Sequence, residues 1–209
     1  MDKKPAINKP SGLRFGPIGP HAMHLCVDMQ RLFREDTPWK TPWMERVLPC
    51  VRKIAELRPA DTVFTRFVPA DRPGDGVGMW KSYWKRWASL TRAEMGDDMI
   101  QLIPELAALC PPASVINKRV YSPWMTPDLD ALLEERRCNT LIVTGGETDV
   151  CVLSTVLGAV DRGYRVIVVT DALCSSADET HDAVMTVYAS RYGQQVETVE
   201  TQLILEEWR

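Results

Sequence analysis

Leu141-Ile142-Val143-Thr144 runs directly into Gly145-Gly146, and an amphipathic segment then continues from Thr148 to about Asp161. An aliphatic run, a paired-glycine turn and a helical period in that order read as strand, tight turn, helix. Cys151 falls in the first turn of that helix. Unpaired backbone N–H groups and the helix dipole favour a thiolate there. The same amides suit an oxyanion formed when an acyl group is attacked. A cysteine hydrolase is the leading reading. The competing one is packing, because cysteine is among the most buried residue types.

The rest of the chain supplies a frame for that turn. Residues 1–20, rich in proline and glycine, read as an irregular arm on the body or on a neighbouring subunit, and 21–209 as one domain. His24-Leu25-Cys26-Val27 is a buried-strand run ending at Asp28, an acid that either caps a turn or takes part in chemistry. Thr41 to Leu57 reads as a helix with Thr41 as cap, Pro42 at its first position and Pro49 a potential bend or break. Strands are expected at 62–67, 114–117, 140–144, 165–170 and 196–199. Helices are expected over 80–87, within 97–108 (interrupted or begun at Pro104), from Thr126-Pro127 to about Arg137, over 148–161, and from Ser176 or Asp178 to Tyr192, with a short tail helix. Strands that are continuous apolar runs, alternating with helices, define a three-layer α/β sandwich around a mainly parallel, Rossmann-like sheet. In such sheets ligands bind at strand carboxyl ends, where Asp28, Lys118 and the turn before Cys151 all fall.

Composition removes several classes. The net charge of -3 gives no general attraction to nucleic acid, and no run approaches the roughly 18 apolar residues that span a bilayer. The six cysteines are scattered without a CxxC pair, which argues against a zinc ribbon or thioredoxin-like motif. With no apolar export signal after Met1, a reduced, cytoplasmic protein is expected. Neither GxGxxG nor GK[ST] follows an early strand, so no nucleotide site and no cofactor are expected.

A thiol nucleophile needs a base, a carboxylate can supply one, and an ammonium beside it stabilises the charges. Asp28, Lys118 and Cys151 form such a set. Val27-Asp28-Met29-Gln30 with Phe33, Asn117-Lys118-Arg119-Val120-Tyr121-Ser122, and Thr144-Gly145-Gly146-Glu147-Thr148-Asp149-Val150-Cys151 follow one another in this order. With Val168-Val169-Thr170-Asp171-Ala172 and His181, they resemble the isochorismatase-like cysteine hydrolases over roughly residues 22 to 200. The metal-free branch typified by N-carbamoylsarcosine amidohydrolase is the most similar. The resemblance implies Asp28 as base, Lys118 as its partner and Cys151 as a nucleophile forming a thioester. It implies a cis Gly146-Glu147 peptide and an oxyanion site at the Glu147 and Cys151 amides. It also implies a homodimer or homotetramer, with the arm and residues 80–87 as candidate contacts. His181 and Asp171 are expected to be structural.

Two departures refine the resemblance. Residues 66–79 lack the histidines of the nicotinamidase zinc site, so no metal is expected. Glu147 stands where the family usually has a small or aliphatic residue or threonine. The reaction implied is hydrolysis of a C–N bond in a small amide, imide or carbamoyl compound. The alternatives are a nicotinamidase-like enzyme or an isochorismatase-type vinyl ether hydrolase, though that branch typically lacks the cysteine. Phe33, Arg66, Trp80, Trp84, Tyr121 and Glu147 are the expected pocket. Trp80, Trp84 and Trp87 share a helical face, suited to packing or to a pocket wall. Arg66 has two readings, a contact for a carboxylated or planar substrate and a salt-bridge partner.

Overall fold

The structure, a computed structural model, describes residues 12–209. Six strands, β1 (Ala22–Val27), β2 (Thr62–Phe67), β3 (Ser114–Lys118), β4 (Thr140–Gly146), β5 (Arg165–Cys174) and β6 (Val196–Val199), form one sheet in the order β3-β2-β1-β4-β5-β6. Every neighbouring pair is parallel. The helices are α1 (Arg31–Arg34), α2 (Met44–Leu57), α3 (Trp80–Arg86), α4 (Arg92–Met95), α5 (Pro104–Ala107), α6 (Pro127–Glu135), α7 (Leu153–Asp161), α8 (Asp178–Arg191) and α9 (Thr201–Glu207).

Strand side chains alternate between two cores. Cys26, Phe64, Ile142 and Ile167 pack with Val47, Val51 and Ile54 of α2 and Ile204 of α9. Leu25, Val63, Leu141 and Val166 pack on the other face with Leu129 of α6, Val156 of α7 and Tyr188 of α8. Both faces are therefore buried, which is why the strands are apolar at consecutive positions. The result is the three-layer α/β/α sandwich with a Rossmann-like sheet. Strand order reverses between β1 and β4, whose register runs from Ala22 beside Thr140 to Val27 beside Gly145. Among the described residues, no helix is long and apolar enough to cross a membrane.

Several local expectations need correction. Thr41 does not cap α2. The helix starts at Met44, no side chain caps it, and Thr41 instead offers its carbonyl to the Met44 amide (3.1 Å). Pro49 lies inside an undivided α2, where it has no amide to give an i to i−4 bond. Over 97–108 the helix begins at Pro104, as one of the two expected forms had it, and a 3₁₀ turn at Asp97–Ile100 stands ahead of this short α5. Leu102 between them bridges antiparallel to Gln30, and Ile103, which precedes a proline, is extended. Thr126 stands at the N-cap of α6, but its hydroxyl donates backwards to the Pro123 carbonyl at 3.4 Å.

The described part of the arm lies on the body at the β5–β6 edge. Glu197 accepts from the Phe15 amide (3.1 Å) and from the Arg14 amide. Arg165 donates to the Gly16 and Pro17 carbonyls at 2.7 and 2.9 Å. Residues 1–11 of the expected arm lie outside the described residues.

Candidate active site

Gly145 and Gly146 decide how β4 ends. Gly145 has a φ of 103°, and a Cβ on it would stand 2.1 Å from the Val27 carbonyl oxygen, so only glycine lets β4 pass so close to β1. A Cβ on Gly146 would meet the Cys174 sulfur at 2.7 Å. The Gly146-Glu147 peptide is cis. A π-helical turn, Thr148–Val152, then leads into α7 and carries Cys151. Its base is tied down from behind. The Thr148 hydroxyl donates to the Cys174 carbonyl at 3.1 Å and so must accept from His181 Nδ1 at 2.9 Å. His181 thus supports the turn, and Asp149 ties it to Ser175 (2.6 Å) and Thr180. Asp171 accepts from the amide and hydroxyl of Thr201, each at 2.8 Å, at the start of α9.

Asp28 follows β1 on the other side of the strand-order reversal. Its φ of 49° is left-handed, a region that Asp tolerates better than most residues. Thr65 on β2 fixes it by accepting from the Asp28 amide (3.2 Å) and donating to Oδ1 (2.6 Å). Lys118, the last residue of β3, crosses the end of β2 with its ammonium 5.1 Å from the centre of the Phe67 ring. The ammonium lies 2.7 Å from Asp28 Oδ2 and donates to Cys151 Sγ and the Val120 carbonyl, both at 3.3 Å. The Oδ2 contact closes a fully buried ion pair.

Asp28, Lys118 and Cys151 are all buried. Burial pushes the Cys151 thiol well above its ordinary range, Lys118 pulls it back, and Asp28 adds to the rise. Burial also works against the Lys118 charge, but Asp28 and Cys151 outweigh it and the ammonium is held more firmly than in water.

A cleft of about 340 Å³ opens onto Cys151. Phe33, Tyr121 and Glu147 of the expected pocket line it, together with Trp39, Phe67, Tyr83 and Trp87. Trp80, Trp84 and Arg66 do not. On α3, Trp84 is turned into the core beside Trp39 and Phe67, and Trp80 packs on Tyr83 and Tyr121. The cleft instead receives Tyr83 and Trp87, an i, i+4 pair one step round the helix. Arg66 lines a separate cavity of about 600 Å³, where it donates to Asn117 (2.9 Å) and Gln101 (2.7 Å). Sequence reasoning missed three further residues. Thr65 is a hydroxyl inside an apolar strand, which is itself a signal. Gln30 is buried and clasps β2, donating to the Phe67 carbonyl (3.0 Å) and accepting from its amide (2.7 Å). Trp39 sits in a loop with no pattern to mark it.

A doubly wound α/β sheet, with a buried cysteine held by a lysine at its strand-order reversal, defines a cysteine hydrolase. The chain belongs to the isochorismatase family, whose domain model matches residues 22–201. It is 28% identical to the isochorismatase family protein YwoC of Bacillus subtilis over 74% of this chain and 81% of that one. It is 30% identical to N-carbamoylsarcosine amidase of an Arthrobacter species, over 63% of this chain and half of the relative. A solved cysteine hydrolase from Pseudomonas syringae pv. phaseolicola shares the fold, with a TM-score of 0.78 at 24% identity over 92% of this chain and 94% of that one.

Proposed function

We propose that this chain hydrolyses a C–N bond of a small amide, imide or carbamoyl compound through a thioester on Cys151. The observation that carries the reading is one buried ammonium, Lys118 Nζ, in contact with both Cys151 Sγ and Asp28 Oδ2. A buried carboxylate gathered with a thiol around one ammonium puts a base within reach of the thiol proton. Asp28 takes the thiol proton as sulfur bonds to the carbonyl carbon, and Lys118 stabilises the charge on sulfur. The carbonyl electrons move to oxygen, which is held by the Glu147 and Cys151 amides. When the intermediate collapses, the C–N bond breaks and Asp28 returns its proton to the departing nitrogen. Water, deprotonated by Asp28, then attacks the thioester, and the acid leaves as the thiol re-forms.

N-carbamoylsarcosine amidase, among the relatives, is named for a C–N bond of this kind. A homodimer or homotetramer in a reducing, cytoplasmic setting belongs to the same proposal. The exposed Val77 and Met79 ahead of α3 and six unpaired cysteines support it, and light scattering of the purified protein checks the assembly.

Ammonia release from a panel of small amides and carbamoyl compounds tests the reaction. Wild type is expected to release it and Cys151→Ala to lose all turnover while keeping its thermal unfolding midpoint. Equal turnover by the variant removes Cys151 from the reaction.

A further inference from the structure

The cleft in front of Cys151 has a charge character that its aromatic lining alone does not set. Trp39 lies 5.6 Å from Trp87, 6.0 Å from Tyr83 and 6.1 Å from Phe33, ring centre to ring centre. The rings therefore form a connected wall along one side. Opposite in chemistry is Glu147, which the same cleft exposes. Its Oε1 accepts from the Ser176 amide at 3.0 Å, so the carboxylate is held in place. Oε2 makes no hydrogen bond or ion pair among the described residues. No arginine or lysine lines the cleft among the described residues. Arg66, the expected anchor for a carboxylated substrate, is in the other cavity. Lys118 is behind the cysteine, with its charge matched by Asp28.

Aromatic rings bind cations through the negative faces of their quadrupoles, and a fixed carboxylate beside them adds a full negative charge, so this lining favours a cation over an anion. We propose that the amide taken by this cleft carries an alkylammonium group, seated against Trp39, Tyr83 and Trp87 and facing Glu147 Oε2, and that Glu147 sets this preference. A quaternary ammonium fits best, since its methyl groups pack on rings while its charge needs no hydrogen bond. The inference rests on the hydrolase reading and adds the substrate's charge class to it. It also gives a role to the glutamate that departs from the family's usual residue.

Three amides of matched size decide the matter: trimethylammonioacetamide, its neutral isostere 3,3-dimethylbutanamide, and the anionic succinamate. Ammonia release is read as ratios of kcat/KM in wild type, Glu147→Gln and Glu147→Thr. Wild type is expected to favour the cation over its neutral isostere by about tenfold or more, with succinamate poorest. In both variants the cation-to-neutral ratio is expected to fall close to one. A wild-type ratio of one or less, a preference for succinamate, or a ratio unchanged in Glu147→Gln overturns the proposal. Turnover of the neutral amide alone would leave the hydrolase reading intact while sinking this one.

If none of the three releases ammonia, binding decides. Tetramethylammonium chloride is expected to quench tryptophan fluorescence of Cys151→Ala at millimolar concentration, less so when Glu147→Gln is added. The neutral alcohol 3,3-dimethyl-1-butanol should do so weakly. Equal quenching by the two probes overturns the cation site.

Discussion

At the residue scale, Asp28 and Lys118 are a fully buried ion pair, and such pairs are more costly to break than to replace. Lys118→Met leaves a buried carboxylate uncompensated and is expected to cost about 3–5 kcal/mol in urea unfolding. The double variant Asp28→Asn, Lys118→Met is expected to recover most of that loss while remaining inactive. Additive losses would contradict the pairing. Lysine also acts on the thiol. Burial raises the Cys151 pKa and Lys118 lowers it, so removing Lys118 raises it further and reduces the thiolate present at any fixed pH. Alkylation of Cys151 by iodoacetamide at pH 8 is expected to be slower in Lys118→Met than in wild type, and a faster rate would contradict it. The positions of Asp28, Lys118 and Cys151 were legible in the sequence because each follows an apolar run that had to be a strand. The cleft lining was less so. Which of Trp80, Tyr83, Trp84 and Trp87 faces the ligand depends on where a two-turn helix docks, and tryptophan at every third or fourth position does not fix that rotation.

At the element scale, the close approach of β4 to β1 depends on Gly145. A methyl group there meets the Val27 carbonyl oxygen at 2.1 Å, on backbone that has no rotamer to give, and at a φ that L residues rarely adopt. Gly145→Ala is expected to lower stability by more than about 3 kcal/mol, measured by urea unfolding, as overpacking combines with strain. A loss under about 1 kcal/mol, or a gain such as an unstrained glycine replacement gives, would mean that the strands separate easily. The paired glycines advertised this turn, and the strands were placed to within a few residues. One helix start was misread: α2 begins at Met44 rather than at Pro42, whereas α6 begins at Pro127 behind Thr126 as expected. Thr41 and Thr126 have cap chemistry, but neither hydroxyl caps its helix, because one turns to the Trp39 carbonyl and the other to that of Pro123, contacts that only the folded chain defines.

At the scale of the whole molecule, the alternation of apolar runs and helical periods revealed the layered sandwich. The neighbour order β3-β2-β1-β4-β5-β6 was not readable residue by residue, because both faces of every central strand are apolar. That order buries His24 of β1 between strands. Thr62 donates to the Arg58 carbonyl, so it accepts from His24 Nδ1 (3.3 Å), and Nε2 accepts from Thr144 (2.7 Å). Burial pushes the His24 pKa down to about 3. The unfolded chain takes up this proton near the ordinary histidine value of 6.5 and the native state only near 3. Stability from the neutral imidazole is therefore complete above 6.5 and lost as pH falls toward 3, at about 1.4 kcal/mol per pH unit. Between pH 7 and 5, wild-type unfolding free energy is expected to fall more steeply than that of His24→Asn. Parallel profiles would contradict the assignment.

Trapping the covalent intermediate addresses the reacting sulfur itself. The protein is quenched in acid while turning over whichever amide releases ammonia, digested, and weighed peptide by peptide. The peptide containing Cys151 is expected to gain the mass of the acyl group and to lose it in neutral hydroxylamine, as a thioester does. An acyl group on another residue, or turnover with no acyl-enzyme alongside full activity of Cys151→Ala, would contradict the account.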